Sequence, residues 1–165
     1  MEYESKCGVY TESLNVDWKN INMMEQQMNK IAVLLSSYNG YEYIEEQIDS
    51  ICKQKNVDFT LYIRDDGSEK EFVELLCGLQ KKYDFKLLKE KNIGFLKSFM
   101  ELLAAVDDAD LYAFSDQDDI WSESKLEIAE QWFQKQNSYD SIPLLYHSAY
   151  DLVERGKKVG HFYFP

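Results

Sequence analysis

The sequence is poor in cysteine and in long apolar runs, and each shortage excludes a class of protein. Its 165 residues contain only three cysteines, Cys7, Cys52 and Cys77, which form no CxxC pair. This pattern excludes a cysteine-rich zinc site and a disulfide framework, so we expect reduced packing residues of an intracellular protein. No run has the length of a transmembrane helix, and the N-terminus lacks the basic flank and apolar core of a signal peptide. We expect a cytoplasmic location, at the inner face of the membrane or away from it.

Positive charge is also scarce. The chain has 18 lysines and arginines against 30 aspartates and glutamates, which gives a formal net charge of -12. Such a charge argues against a bulk affinity for DNA, RNA or anionic lipid. An acidic protein that binds a nucleotide needs a local device instead, such as a metal ion or a set of backbone amides.

Several catalytic motifs are absent. The sequence has no GxxxxGK[ST] and no GxGxxG after its first apolar run, which argues against a P-loop hydrolase and a dinucleotide-dependent oxidoreductase. It has two histidines, His147 and His161, and no GxSxG, so a serine or cysteine hydrolase has little support. We interpret His147 as a packing residue at a strand end.

What the sequence does contain is a regular alternation of apolar patterns from Lys30 onward. Short apolar runs predict buried strands, and apolar residues three or four apart predict amphipathic helices. Strands are predicted at 31–35, 59–64, 85–88, 111–114 and 144–147. Helices are predicted at 44–52, 72–79, 95–106 and 122–135, the last with Ser122 as its N-cap. The order predicts an α/β domain at 30–165, with a mostly parallel sheet and helices on both faces, after a polar extension at 1–29.

Three polar clusters follow predicted strands, at residues 37–40 (SYNG), 65–68 (DDGS) and 116–119 (DQDD). Because the carboxyl ends of parallel strands meet at one edge of a sheet, we expect these clusters to converge there. Asp116 and Asp118 can present oxygens to one hard divalent ion, whose shell water and phosphate oxygens would complete. The sequence therefore favours a metal–diphosphate site. The alternative, that acidic turns only cap helices, stays open, more so for 65–68 than for 116–119.

The order SYNG, DDGS, NIGFLKSF and FSDQDDIW over about residues 30–135 resembles the bacterial family 2 glycosyltransferases, and within them the rhamnosyltransferase-like branch. The resemblance implies a GT-A fold, of which this chain would be the N-terminal, donor-binding half. It implies transfer of a sugar, rhamnose by the branch, from a nucleoside-diphosphate donor, usually with inversion and with Mg²⁺ or Mn²⁺. The acceptor would be a saccharide or lipid-linked saccharide in cell-envelope polysaccharide synthesis.

The resemblance also implies roles for individual residues. Carried over by position, the nucleotide-sugar-binding residues would be Ser37, Tyr38, Asn39, Asp65, Asp66, Gly94, Lys97, Asp116 and Gln117. Asp118, together with Asp116, would hold the metal, and the stretch 116–118 corresponds to the family's DXD motif. Asp119 and Trp121 would support that loop, with ordinary core packing as the equal alternative for Trp121.

Parts of the family pattern are missing. The catalytic general base is expected beyond Pro165, so the domain is expected to be incomplete at its C-terminus. Ser148-Ala149 stands where relatives often have Ser-Asp, which puts a sugar contact there in doubt. Two alternatives stay open: a non-catalytic nucleotide-sugar-binding module, which could also form a homo-oligomer, and, with less support, a metal-dependent phosphohydrolase.

Overall fold

The structure, a computed structural model, describes residues 28–136, 143–154 and 157–162. The described chain first alternates strands with helices. Its first four strands are β1 (Lys30–Ser37), β2 (Asp58–Asp66), β3 (Lys86–Glu90) and β4 (Leu111–Ser115). Its helices are α1 (Ile44–Cys52), α2 (Lys70–Leu79), α3 (Phe95–Ala104) and α4 (Lys125–Gln134). An antiparallel hairpin of β5 (Tyr150–Glu154) and β6 (Lys157–Phe162) follows.

The first four strands form one parallel sheet in the order β3-β2-β1-β4. In its register Ser37 at the end of β1 is level with Asp65 on β2, and Leu35 is level with Ser115 on β4. The carboxyl ends of these three strands are therefore neighbours. The predicted parallel sheet and the predicted convergence of strand ends are both confirmed.

Both faces of β1 are buried, as its continuous apolar run predicts. Val33 and Leu35 pack on one face with apolar side chains of α1 and α2, and Leu126 of α4 joins this cluster. Ala32 and Leu34 face the opposite way, against Phe99 and Leu102 of α3. Burying one such side chain stabilises the fold by about 1.5–3 kcal/mol. The helices thus hold the strand ends in place from both sides of the sheet.

The predicted strand at 144–147 is wrong. The backbone at 143–149 is irregular, and the strand that follows, β5, starts at Tyr150 and pairs with β6 in a hairpin instead of joining the parallel sheet. The Tyr146 ring packs on Trp132 of α4 at 5.6 Å, whereas Leu145 is 80% exposed. The physical reason is that an apolar run of four residues fits packing along a helix as well as it fits a strand.

Two predicted helix boundaries also shift. Ser122 is not the N-cap of α4, because the first α-helical hydrogen bond runs from the Ile128 N–H to the carbonyl oxygen of Ser124 at 3.0 Å, two residues further on. The N-cap is Ser124. Helix α3 ends at Ala104, short of Val106. The predicted extension at 1–29 and Cys7 lie outside the described residues, apart from positions 28 and 29. No helix within the described ranges is long and apolar enough to cross a membrane.

Candidate functional site

A cleft of about 500 Å³ lies at the carboxyl ends of β1, β2 and β4. Its volume is within the range of small-molecule sites, about 300–1,000 Å³. It is lined by residues from every polar cluster that the sequence singles out and by the turn before α3: Ser36, Ser37, Tyr38, Asp66, Asn92, Gly94, Phe95, Asp116, Gln117 and Asp118. A smaller depression, of about 230 Å³, lies at the amino ends of the strands, and two of its three charged lining residues, Lys30 and Asp108, pair with each other.

The loop after β1 is joined to the loop after β4 by one side chain. Gln117 Oε1 accepts a hydrogen bond from the Tyr38 backbone N–H at 2.8 Å, and Gln117 Nε2 approaches the Tyr38 carbonyl oxygen at 3.4 Å. Gly40 makes room for this contact, because a Cβ there would lie 2.5 Å from Gln117 Oε1. The Tyr38 side chain is left 51% exposed at the cleft. One wall of the cleft therefore depends on a glycine and a glutamine that are far apart in sequence.

Asn39 stabilises the loop after β1 instead of lining the cleft. Its backbone is in the left-handed region, with φ 48°. Its N–H donates to Ser68 Oγ at 2.9 Å, and its Oδ1 accepts from the Glu69 N–H at 2.9 Å. These bonds tie the SYNG turn to the DDGS turn. Asn39 is not among the residues that line the cleft.

Asp65 and Asp66 point to opposite faces of β2 and do different things. Asp66 lines the cleft, and its carboxylate accepts hydrogen bonds from the Ile93 N–H at 2.9 Å, the Gly94 N–H at 3.0 Å and the Arg64 guanidinium. Burial opposes ionisation, but these hydrogen bonds hold the pKa of Asp66 below its usual range. Asp65 is buried outside the cleft lining, where its Oδ2 accepts from the Ser68 N–H at 3.1 Å.

The turn before α3 brings Gly94 to the cleft and leaves Lys97 away from it. Gly94 has φ 85°, a backbone conformation that favours glycine. Lys97 is exposed on the first turn of α3 and does not line the cleft. Gly67, with φ 77°, lets the DDGS turn approach this segment closely, because a Cβ on Gly67 would lie 2.4 Å from Asn92 N.

The loop after β4 presents carboxylates to the cleft. Asp116 and Asp118 both line it, and Asp119 follows them. Partial burial raises the pKa of Asp116, and the charges of Asp119 and Asp118 raise it further. The pKa of Asp119 is raised for the same reasons, against a smaller opposing effect of the Lys125 ammonium group. A cation at this loop would relieve the repulsion.

The donor set of this loop suits a hard divalent ion. Within the described ranges no group of three or more His, Cys, Asp or Glu side chains is placed to hold a metal. Two carboxylates are enough for Mg²⁺ when water and phosphate oxygens complete its shell. Trp121, at the end of the loop, is buried in the core, and its N–H donates to Ser50 Oγ at 3.0 Å. The packing interpretation of Trp121 is thus confirmed, and its place in the core fixes one end of the loop.

The structure adds three lining residues that the sequence argument missed: Ser36, Asn92 and Phe95. Two of them belong to the quoted NIGFLKSF motif, so the motif contained the signal. It also adds Arg64, which is 2% exposed behind the cleft. The sequence could have pointed to Arg64, because this charged residue directly follows the buried stretch Leu61-Tyr62-Ile63 within β2.

Comparison with known proteins identifies the family of this chain. The sequence profile of Glycosyl transferase family 2 matches residues 32–163. Over 138 residues the chain is 34% identical to the dTDP-rhamnosyl transferase RfbG of Shigella flexneri, covering 78% of this chain and 48% of that protein. The chain thus spans about half the length of this relative.

Solved structures share the fold. Residues 1–349 of S. aureus TarS, in a crystal structure with UDP-GlcNAc, are similar with a TM-score of 0.58 and 24% identity, over 64% of this chain and 31% of that chain. The mannosyltransferase PcManGT of Pyrobaculum calidifontis, in complex with GDP-Man and Mn²⁺, has a TM-score of 0.59 and 18% identity, over 68% and 34% of the chains. These similarities confirm the expected GT-A type of α/β fold.

A parallel sheet with a polar cleft at its carboxyl edge defines a domain of the α/β class. Because the family profile covers most of its length, the chain belongs to glycosyl transferase family 2.

Proposed function

We propose that this chain forms the donor-binding part of a glycosyltransferase that takes a sugar from a nucleoside diphosphate. The observation that supports this most is the convergence of three strand-end loops on one cleft, with two carboxylates on the loop after β4. A strongly acidic protein has no bulk attraction for a diphosphate, so binding needs a local positive charge. A divalent ion held by Asp116 and Asp118 would provide it.

The proposed metal is Mg²⁺ or Mn²⁺. When bound, it would act as a Lewis acid that offsets negative charge on the departing diphosphate. The chain's own part is to hold the two carboxylates at the cleft, which the buried Trp121 and the contact between Gln117 and Tyr38 do from the two sides of the loop. Partial burial is the main cause of the raised pKa of Asp116, and the smaller contribution from the charges of Asp119 and Asp118 is what a cation would offset.

The nucleoside is proposed to lie along the loops after β1 and β2. Tyr38 offers an exposed aromatic ring on which a base can stack, worth about 1–3 kcal/mol. Asp66 accepts three protein hydrogen bonds, and an ionised carboxylate has about four acceptor positions. One position is therefore left for a base or ribose donor. Ser37, Gly94 and Gln117 line the cleft and complete the proposed contacts. Asn39, Asp65 and Lys97 do not line the cleft, so their contacts with the nucleotide stay predictions from the sequence.

Transfer also requires an acceptor hydroxyl and a general base, with inversion at the anomeric carbon as the expected course. We assign the base to no described residue. Asp151 is a poor candidate, because hydrogen bonds from Lys158 and His161 hold its pKa below the usual range. A base for a sugar hydroxyl needs a pKa near the working pH.

The finer assignments rest on the relatives. We propose rhamnose as the sugar, supported by the 34% identity to a protein named a dTDP-rhamnosyl transferase. We propose a saccharide or lipid-linked saccharide of the cell envelope as the acceptor and the cytoplasm, at the inner face of the membrane, as the place of reaction. The second candidate function is a nucleotide-sugar-binding module without turnover, in which the cleft would bind the donor and no general base would be needed.

A titration of tryptophan fluorescence tests the proposal. Trp121 lies at the end of the metal-binding loop, so its emission should report ligands there. The panel is UDP, dTDP and GDP with their sugar forms, with Mn²⁺ or with chelator. We expect saturable binding of one nucleotide, dTDP by the relative above, and loss of binding on chelation. No binding by any nucleotide to a folded sample contradicts the proposal.

Variants sharpen this test. Asp118→Ala should abolish metal-dependent binding and leave the free energy of unfolding within about 0.5 kcal/mol of wild type, as for most surface substitutions. The matched control is Asp107→Ala, which removes an exposed aspartate before β4, at the opposite end of the sheet. If this chain binds a nucleotide sugar but transfers the sugar to none of the saccharide acceptors tried, that result would favour the non-catalytic alternative.

A further inference from the structure

The buried guanidinium of Arg64 lies behind the cleft, and the proposed function gives it no direct contact with the nucleotide. Arg64 is 2% exposed and sits near the end of β2, on the face that packs against α3. Its side chain does not line the cleft, but its partner Asp66 does. Its partner Ser98 is hydrogen-bonded to Ser36, which also lines the cleft. Arg64 therefore acts on the cleft from behind.

The guanidinium connects three segments. Its Nη1 pairs with the Asp66 carboxylate and donates to Ser98 Oγ at 3.1 Å, and its Nη2 donates to the Lys91 carbonyl oxygen at 3.1 Å. Ser98 in turn is hydrogen-bonded to Ser36 at 2.6 Å, at the end of β1. Arg64 thus bonds directly to the end of β2, to the turn before α3 and to α3, and Ser98 extends this network to the end of β1.

The contacts of Arg64 are better suited to fixing the position of neighbouring segments than to raising the free energy of unfolding. A buried ion pair is weak support for stability, because desolvation offsets much of its attraction. Arg64 Nε is also buried with no hydrogen-bond partner among the described residues, which costs free energy. An apolar side chain would avoid both costs, but it could not hold three backbone segments in a fixed geometry, which the planar fork of arginine can.

We infer that Arg64 is a positioning residue for the donor site, which fixes Asp66 and the turn at residues 91–94 in the geometry that receives the nucleotide. This inference rests on the proposed donor site. Asp66 then holds the Ile93 and Gly94 N–H groups, and Gly94 and Phe95 form the cleft wall. Without the guanidinium, Asp66 would lose its charged partner, and the turn would lose its bond at Lys91.

The test compares Arg64→Lys with a matched core variant. Lysine keeps the positive charge beside Asp66, but its single ammonium group cannot span the Ser98 hydroxyl and the Lys91 carbonyl as the fork does. The control is Ile51→Val, which shortens a fully buried side chain of α1 in the core on the opposite face. Arg64→Met serves as a second variant where it folds. Each variant is measured for its unfolding transition, for amide hydrogen exchange and for affinity towards the nucleotide with Mn²⁺.

We expect Arg64→Lys to speed exchange of the Ile93 and Gly94 amides and to weaken nucleotide binding about tenfold, the ratio for loss of one hydrogen bond to a charged group. Ile51→Val should change neither beyond its effect on the unfolding transition. Wild-type exchange at Ile93 and Gly94 in Arg64→Lys would overturn the inference, as would equal loss of affinity in both variants.

The two proposals fail in different ways. If wild-type protein binds no nucleotide, the proposed function fails, and the exchange measurement on free protein still decides whether Arg64 positions the turn. If wild-type protein binds and Arg64→Lys binds equally well with unchanged exchange, the donor site stands and the role of Arg64 is wrong.

Discussion

Gly40→Ala should separate the loop after β1 from the loop after β4 without unfolding the protein. A Cβ at position 40 would lie 2.5 Å from Gln117 Oε1 and 2.6 Å from Gln117 Cδ, too close for both to remain. The Gln117 side chain is flexible and can move away, but it then loses its 2.8 Å hydrogen bond from the Tyr38 N–H. The contact with the Tyr38 carbonyl, at 3.4 Å, is too long to add much.

The expected cost follows from that one bond. Removing a typical hydrogen bond costs about 0.5–1.5 kcal/mol, so Gly40→Ala should lower the free energy of unfolding by about 1 kcal/mol. Urea denaturation measures this value. Gly78→Ala is the matched control, because a Cβ at Gly78 in α2 meets nothing within 4 Å. There alanine should stabilise by about 0.5–1 kcal/mol, through the usual preference for alanine over glycine in a helix.

A double-mutant cycle completes the argument. Because Gly40→Ala acts by displacing Gln117, its effect should largely vanish in a Gln117→Ala background. Amide exchange at Tyr38 should speed up in both single variants. Additive effects of the two substitutions, or unchanged exchange at Tyr38 in Gly40→Ala, would refute the reasoning.

The other predictions concern the DDGS turn. Gly67→Ala should destabilise by at least about 2 kcal/mol in urea denaturation, because it combines a φ of 77° with a Cβ placed 2.4 Å from Asn92 N; a smaller loss would mean that the turn can open freely. Asp66→Asn should flatten the loss of stability in acid. The folded pKa of Asp66 is lowered, so its contribution is present above the unfolded value of about 3.9 and is lost as pH falls from there through the folded pKa. Denaturation midpoints measured from pH 6 down to pH 2 check this, and an unchanged slope would contradict it.

The sequence predicted β1 most directly, because this strand is buried on both faces. The apolar run at 31–35 has no other stable place than the middle of a covered sheet, and its residues are at most 4% exposed. The run at 144–147 is also short and begins with two leucines, but its Tyr146 ring packs on Trp132 of α4, and this contact depends on which surface is near in the folded chain. Periodicity cannot distinguish these cases in so short a run.

The candidate site, like the sheet, could be predicted from the sequence only in part. Motif position correctly brought the loops at 37–40, 65–68 and 116–119 to one edge, because parallel register puts their strand ends side by side. It did not separate residues that line the cleft from those that hold the loops. The Asn39 side chain bonds to the segment after the DDGS turn and the Asp65 side chain bonds within that turn, and both contacts depend on side-chain directions that only the fold sets. Arg64 was missed because its partners come from the end of β2, the turn before α3 and α3 itself, which only the fold brings together.

The central claim is that Asp116 and Asp118 hold a divalent ion that binds a nucleoside diphosphate. Electron paramagnetic resonance of Mn²⁺ tests this most directly, because the signal of free Mn²⁺ falls when the ion is bound. With dTDP present, the wild-type protein should bind about one Mn²⁺, in line with a site of one or two protein carboxylates completed by phosphate oxygens. Asp118→Asn should remove this binding, and Asp107→Asn should not. Full Mn²⁺–dTDP binding by Asp118→Asn would contradict the account.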